Sequence, residues 1–135
     1  MVRKRRMIYV IDDDESVRRS FRRLFRSADF EVEIFSSAEE FLSGPRQKED
    51  ACILIDLHMS GSSGFDLQRK LAEQGIRTPV IVVSASDDAQ TREHARELGA
   101  VSFFRKPVDD QALIDAIHWA MGVTKNKSGP YDSRF

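Results

Sequence analysis

Short uninterrupted apolar runs alternate along the chain with segments in which apolar residues recur every three or four positions. The runs span residues 7–11, 51–55, 80–83 and 101–104, with a weaker one over 32–35. Each is four or five residues long and rich in Val, Ile or Phe, as suits strands buried on both faces. Between the first two strands, Val17, Phe21, Leu24 and Phe25 fall at i, i+4, i+7 and i+8, with Arg18, Arg19, Arg22 and Arg23 largely on the other side. That spacing predicts an amphipathic helix. Ala38, Phe41 and Leu42 predict a short second helix ending at Gly44 and Pro45. Leu67, Leu71 and Ala72 mark a third, Ala95 and Leu98 a fourth, and Leu113, Ile114, Ile117 and Met121 a fifth. Gly75, Gly99 and Gly122 are each expected just past a helix, where a left-handed residue closes the last turn. The alternation predicts an α/β domain, a five-stranded parallel sheet doubly wound as (βα)5 with helices on both faces.

With 135 residues there is room for one ordinary domain. It is expected over residues 6–122, between a basic N-terminal tail (1–5) and a polar C-terminal tail (123–135). Hydrophobic residues make up 41% and charged residues 32%, yet the formal net charge is only −1. That balance argues against disorder and against wholesale polyanion binding. No apolar run approaches the ~20 residues of a membrane span, and no signal-peptide apolar core follows the charged start. Cys52 is the single cysteine and has no internal disulfide partner, which suits a reducing cytoplasm.

In an open parallel sheet, ligands gather beyond the carboxyl ends of the strands. The pattern places Asp12, Asp13 and Asp14 at the end of the first strand, Asp56 after the third, Ser84 after the fourth, and Lys106 with Pro107 after the fifth. If Asp12, Asp13 and Asp56 converge, a proton or a cation must relieve their repulsion. Oxygen ligands without His or Cys partners favour Mg²⁺. Asp14 and Glu15 suit instead the opening turn of the first helix, as cap and dipole partner. A carboxylate beside Mg²⁺ can attack phosphorus to give an acyl phosphate, the metal neutralising phosphoryl charge. The Lys106 ammonium would pair with that phosphoryl group, and the Ser84 hydroxyl would hydrogen-bond one of its oxygens.

Four segments carry a family resemblance. They are Val10-Ile11-Asp12-Asp13-Asp14-Glu15, Ile55-Asp56-Leu57-His58-Met59 with Gly64 beyond it, Val83-Ser84-Ala85, and Phe104-Arg105-Lys106-Pro107. In this order and spacing, on successive strand ends, they resemble the receiver domain of two-component response regulators over nearly the whole chain. The resemblance implies strand order 2-1-3-4-5, Asp56 as phosphoacceptor, and direct Mg²⁺ ligation by Asp13, Asp56 and the backbone carbonyl of His58, with Asp12 acting mainly through water. It further implies that Lys106 contacts the phosphoryl group, that the Lys106–Pro107 bond is cis, and that Ser84 stands in for the threonine of many members. Phe103 matches the aromatic switch position. Its rotation would follow movement of the Ser84 hydroxyl and alter the face formed by the fourth helix, fifth strand and fifth helix. His58 and Ser86 hold positions that tune acyl-phosphate lifetime.

The implied phosphodonor is a sensor histidine kinase or a histidine phosphotransfer protein, and the first-helix arginines are candidates for its contact. The domain would catalyse only its own phosphorylation and dephosphorylation. Homodimerisation on phosphorylation is one implied partner mode, and DNA enters only through an effector domain outside this chain, as in receivers that belong to transcriptional regulators. One departure is Ser60, where many receivers have proline, so 60–64 is expected to be a looser loop. Two other readings are a phosphate-independent pseudo-receiver and an aspartyl-phosphate phosphohydrolase. The second class pairs its nucleophile with an acid two residues later, where this chain has His58. With His94 and His118 expected on helices, no imidazole metal site is anticipated, and Trp119 is expected to pack in or beside the core.

Overall fold

Strand and helix alternate as the hydrophobic pattern requires: β1 (Met7–Ile11), α1 (Glu15–Ser27), β2 (Glu31–Phe35), α2 (Ala38–Leu42), β3 (Ala51–Asp56), α3 (Gly64–Glu73), β4 (Val80–Ser84), α4 (Ala89–Glu97), β5 (Ser102–Arg105) and α5 (Asp110–Val123). The computed structural model describes residues 6–44, 50–59 and 63–123. The expected N-terminal tail at 1–5, the segment after Gly44, the Ser60–Gly61–Ser62 stretch and all of the expected 123–135 tail except Val123, which belongs to α5, therefore lie outside the described residues.

The sheet is parallel throughout, in the order β2-β1-β3-β4-β5. Side chains alternate between its faces. Met7, Tyr9 and Ile11 join Ile53, Ile55, Phe41, Leu67, Leu71 and Ala95 on the side covered by α2, α3 and α4. Ile8 and Val10 join Leu54, Ile81, Phe21, Phe25, Leu113 and Ile117 on the side covered by α1 and α5. Strands β1, β3 and β4 are buried along their whole length, whereas the edge strand β2 is half-buried and exposes Glu33. This explains the weaker apolar run over 32–35, since an edge strand needs fewer apolar residues. Each fully buried Ile or Leu of the central strands contributes about 1.5–3 kcal/mol by leaving water.

Local signals set the element ends. Asp14 caps α1, its carboxylate accepting the N–H groups of Ser16 and Val17. Gly75 and Gly99 follow α3 and α4 with φ of +71° and +107°, where a side chain would be strained. Gly122 behaves otherwise. It does not terminate a helix; α5 runs through it to Val123. Ala116, Ile117, Ala120 and Met121 are buried against the sheet, and that packing outweighs the ~1 kcal/mol that glycine costs in a helix. At β5 the strand begins at Ser102, one residue later than the apolar run, while half-buried Val101 donates its N–H to Val80 O at 2.8 Å. Among the described residues, no helix is long and apolar enough to cross a membrane.

Candidate functional site

The carboxyl ends of β1, β3, β4 and β5 meet at one edge of the sheet. Asp12 directly follows β1 and is 1% exposed. Its N–H donates to Phe35 O at 3.1 Å, its Oδ1 accepts the Asp14 N–H at 2.9 Å, and its Oδ2 takes the Lys106 ammonium at 3.0 Å. Asp13, the next residue, is exposed. Asp56 is the last residue of β3, beside Val83 in the register, and is 3% exposed. Its Oδ1 accepts the His58 N–H at 3.2 Å and lies 3.5 Å from Lys106 Nζ. Each of Asp12, Asp13 and Asp56 places a carboxylate oxygen within 4.8 Å of the others.

Beyond Asp56 the chain stays tied to the sheet edge. The Leu57 N–H donates to Val83 O at 3.1 Å, and the Gly64 N–H donates to Leu57 O at 3.2 Å. A Cβ at Gly64 would stand 2.8 Å from both Asp56 O and Leu57 Cα, so this return needs glycine for close approach. Ser63 then caps α3 in a reciprocal box with Asp66. Ser84 ends β4 fully buried, its hydroxyl accepting the Ser86 N–H at 3.0 Å. Just past β5 the Lys106 N–H donates to Ser84 O at 2.8 Å, and the Lys106–Pro107 bond is cis, as anticipated.

Electrostatics follow from this crowding. Burial raises the Asp56 pKa, and the negative charge of Asp12 raises it further; Lys106 and the His58 N–H offset part of that rise. Burial alone would lower the pKa of Lys106, but the hydrogen bond and charge of Asp12, together with Asp56, leave it raised. One ammonium thus faces two buried carboxylates, and the exposed Asp13 carboxylate lies within 4.8 Å of both acids. This all-oxygen, acid-rich donor set fits a hard divalent cation such as Mg²⁺.

The other predicted residues take different places. Phe103 is 5% exposed and joins the core on the α2–α4 side, with the Arg92 guanidinium carbon 5.4 Å from its ring centroid. His58 is exposed beside the site, whereas His94 and His118 lie on α4 and α5. Trp119 is partly buried against the α1–α5 core, as expected. Cys52 is buried, which pushes its thiol pKa up to about 12 and makes it a poor nucleophile. Nothing in the sequence pattern separates Arg18 from the other α1 arginines, yet its Nη1 donates to the Asp12 carbonyl at 2.8 Å. It stands one helical turn after the cap Asp14, from where a side chain leaning towards the helix N-terminus reaches the end of β1.

The model of the response regulator receiver domain matches residues 8–118. The transcriptional regulatory protein TdiR of Thauera aromatica is 36% identical over 118 residues, covering 87% of this chain and 52% of that protein. The response regulator protein TmoT of Ectopseudomonas mendocina is 39% identical over 115 residues, covering 85% and 52%. Among solved structures, FixJ-N superposes with a TM-score of 0.81 at 32% identity, covering 89% of this chain and 96% of that one. The chain spans about half the length of TdiR and TmoT. A matching family model over most of its length places this chain in the response regulator receiver domain family.

Proposed function

We propose that this domain accepts a phosphoryl group on the Asp56 carboxylate from a phosphohistidine donor, in a kinase or phosphotransfer protein, and thereby switches an output surface. The observation that carries the reading is the buried acidic cluster with the Lys106 ammonium 3.0 Å from Asp12 and 3.5 Å from Asp56. Asp12, Asp13 and Asp56, with the backbone carbonyl of His58, are the groups that would hold Mg²⁺. When bound, the ion neutralises charge on phosphoryl oxygens and lowers the repulsion between carboxylates.

The remaining roles belong to the chain. An Asp56 carboxylate oxygen attacks phosphorus and forms the new P–O bond, while the P–N bond to the donor imidazole breaks and its electron pair leaves with the imidazole. Lys106 is placed to follow the incoming phosphoryl group. The Ser84 hydroxyl already accepts the Ser86 N–H, leaving its own proton to donate to a phosphoryl oxygen. That demand draws Ser84 inward and opens space for Phe103, whose movement reshapes the surface of α4, β5 and α5. Hydrolysis of the acyl phosphate resets the domain. For the whole protein, the names of two relatives of this chain, TdiR and FixJ of Azorhizobium caulinodans, support control of transcription as the output.

The test is intact-mass analysis after incubation with a small-molecule phosphodonor and Mg²⁺. The wild type gains one phosphoryl group, and EDTA or Asp56→Asn abolishes the gain. An equal gain by Asp56→Asn refutes the assignment.

A further inference from the structure

The arginines of α1 do not all form a solvated face. Arg18 is half-buried, and its Nη1 donates to the backbone carbonyl of Asp12 at 2.8 Å. Helix geometry explains the reach. Its own N–H donates to Asp14 O at 3.0 Å in the first turn, and helical side chains lean towards the N-terminus.

Asp12 is consequently held through its N–H by Phe35 O, through Oδ1 by the Asp14 N–H, through Oδ2 by Lys106, and through its carbonyl by Arg18. The first three contacts fix the residue and its carboxylate. The fourth acts on the peptide joining Asp12 to Asp13. Because that peptide is planar, holding its oxygen also orients the N–Cα bond from which Asp13 departs. Asp13 is exposed and still brings an oxygen within 4.8 Å of both Asp12 and Asp56.

Outside the pocket, Arg18 has a weaker electrostatic link to α2. The carboxyl of Glu40, on α2, is held below its usual range by the Ser36 N–H and hydroxyl, with the positive charge of Arg18 adding to the effect.

We propose that Arg18 is a positioning residue of the acidic pocket: by holding the Asp12–Asp13 peptide it presents the Asp13 carboxylate to a divalent cation together with Asp12 and Asp56. This rests on the metal reading above and extends it to a residue that touches neither the cation nor the phosphoryl group. It also predicts the sign of a mutation. Removing a positive charge near three carboxylates should tighten Mg²⁺ binding if charge alone matters, whereas losing the peptide's orientation should weaken it.

Mg²⁺ affinity is measured by calorimetry, with no phosphodonor present, on the wild type, Arg18→Met, Arg18→Lys and Glu40→Gln. Thermal unfolding in EDTA checks that each remains folded. Arg18→Met should bind about tenfold more weakly, as loss of roughly one hydrogen bond to a charged donor implies. Arg18→Lys keeps the charge but ends short of the guanidinium fork, so it should lose about threefold or more, and it decides the matter if Arg18→Met does not fold. Glu40→Gln should stay within about threefold of the wild type. Unchanged or tighter binding by the Arg18 variants, or an equal loss in Glu40→Gln, overturns the positioning role. Failure of the wild type itself to bind Mg²⁺ overturns the metal reading and, with it, this inference.

Discussion

Replacing Gly64 by alanine strikes the site without altering any reacting group. An ideal Cβ there would lie 2.8 Å from Asp56 O, 2.8 Å from Leu57 Cα and 2.9 Å from Leu57 Cδ2. The leucine methyl can rotate away, but the two backbone atoms belong to the segment that carries Asp56. Overpacking of this kind costs about 1–3 kcal/mol. Shifting the start of α3 to relieve it strains the 3.2 Å bond from Gly64 N–H to Leu57 O, worth about 1 kcal/mol. Against these stands the helical preference for alanine over glycine, also about 1 kcal/mol. The net expectation is a loss of about 1–3 kcal/mol. Gly122→Ala is the internal control, because that helical glycine has nothing within 4 Å of its added Cβ. It should be neutral or gain up to about 1 kcal/mol. Urea unfolding followed by circular dichroism reads both variants, as midpoint shifts at constant slope. Gly64→Ala should also slow the phosphorylation of Asp56. Equal stabilisation of both variants would refute the close-approach argument.

Three further outcomes follow from the site and its supports. Because the folded-state pKa of Asp56 is raised by burial and then by Asp12, its ionised form costs stability. That cost is absent below the unfolded pKa of ~3.9 and complete above the folded value. Asp56→Asn should therefore raise the melting temperature in EDTA by a few degrees at about pH 7 and change it little near about pH 3; an equal shift at both contradicts the argument. Lys106 has a raised folded-state pKa, so its stabilisation is present below the unfolded value of ~10.4 and is lost as pH rises through the folded one. Lys106→Met should cost about 2 kcal/mol at neutral pH, less than for a fully buried pair because Lys106 is partly exposed, and the gap in urea unfolding should narrow at alkaline pH. Ser63→Ala removes a capping box whose hydroxyl accepts the Asp66 N–H at 3.2 Å, and should lower stability by about 1 kcal/mol in the same assay.

The central strands were legible because double-sided burial leaves few residue types to choose from, as at 51–55 and 80–83. The acids, hydroxyl and amine at their ends were legible for the complementary reason, since polar groups beside such strands need partners. Asp12, Asp56 and Lys106 find them in one another. Gly122 was misread because a local cap signal cannot weigh the packing of Ala120 and Met121, which carries α5 past it. Arg18 was hidden among chemically identical neighbours, and only the three-dimensional path of its side chain separates it from the exposed Arg19, Arg22 and Arg23. Ser63 falls in the segment expected to be a looser loop, yet its spacing to Asp66 is that of a capping box.

Asp56, and not a neighbouring acid, is expected to receive the phosphoryl group. Borohydride reduces an acyl phosphate to an alcohol, so an aspartyl phosphate becomes homoserine at the modified position. The decisive measurement is peptide mass mapping of the wild type after phosphorylation with Mg²⁺ and borohydride reduction. Homoserine at position 56, absent when EDTA replaces Mg²⁺, is the predicted result. Homoserine at position 12 or 13, or no modified aspartate after a confirmed gain of phosphoryl mass, would contradict the account.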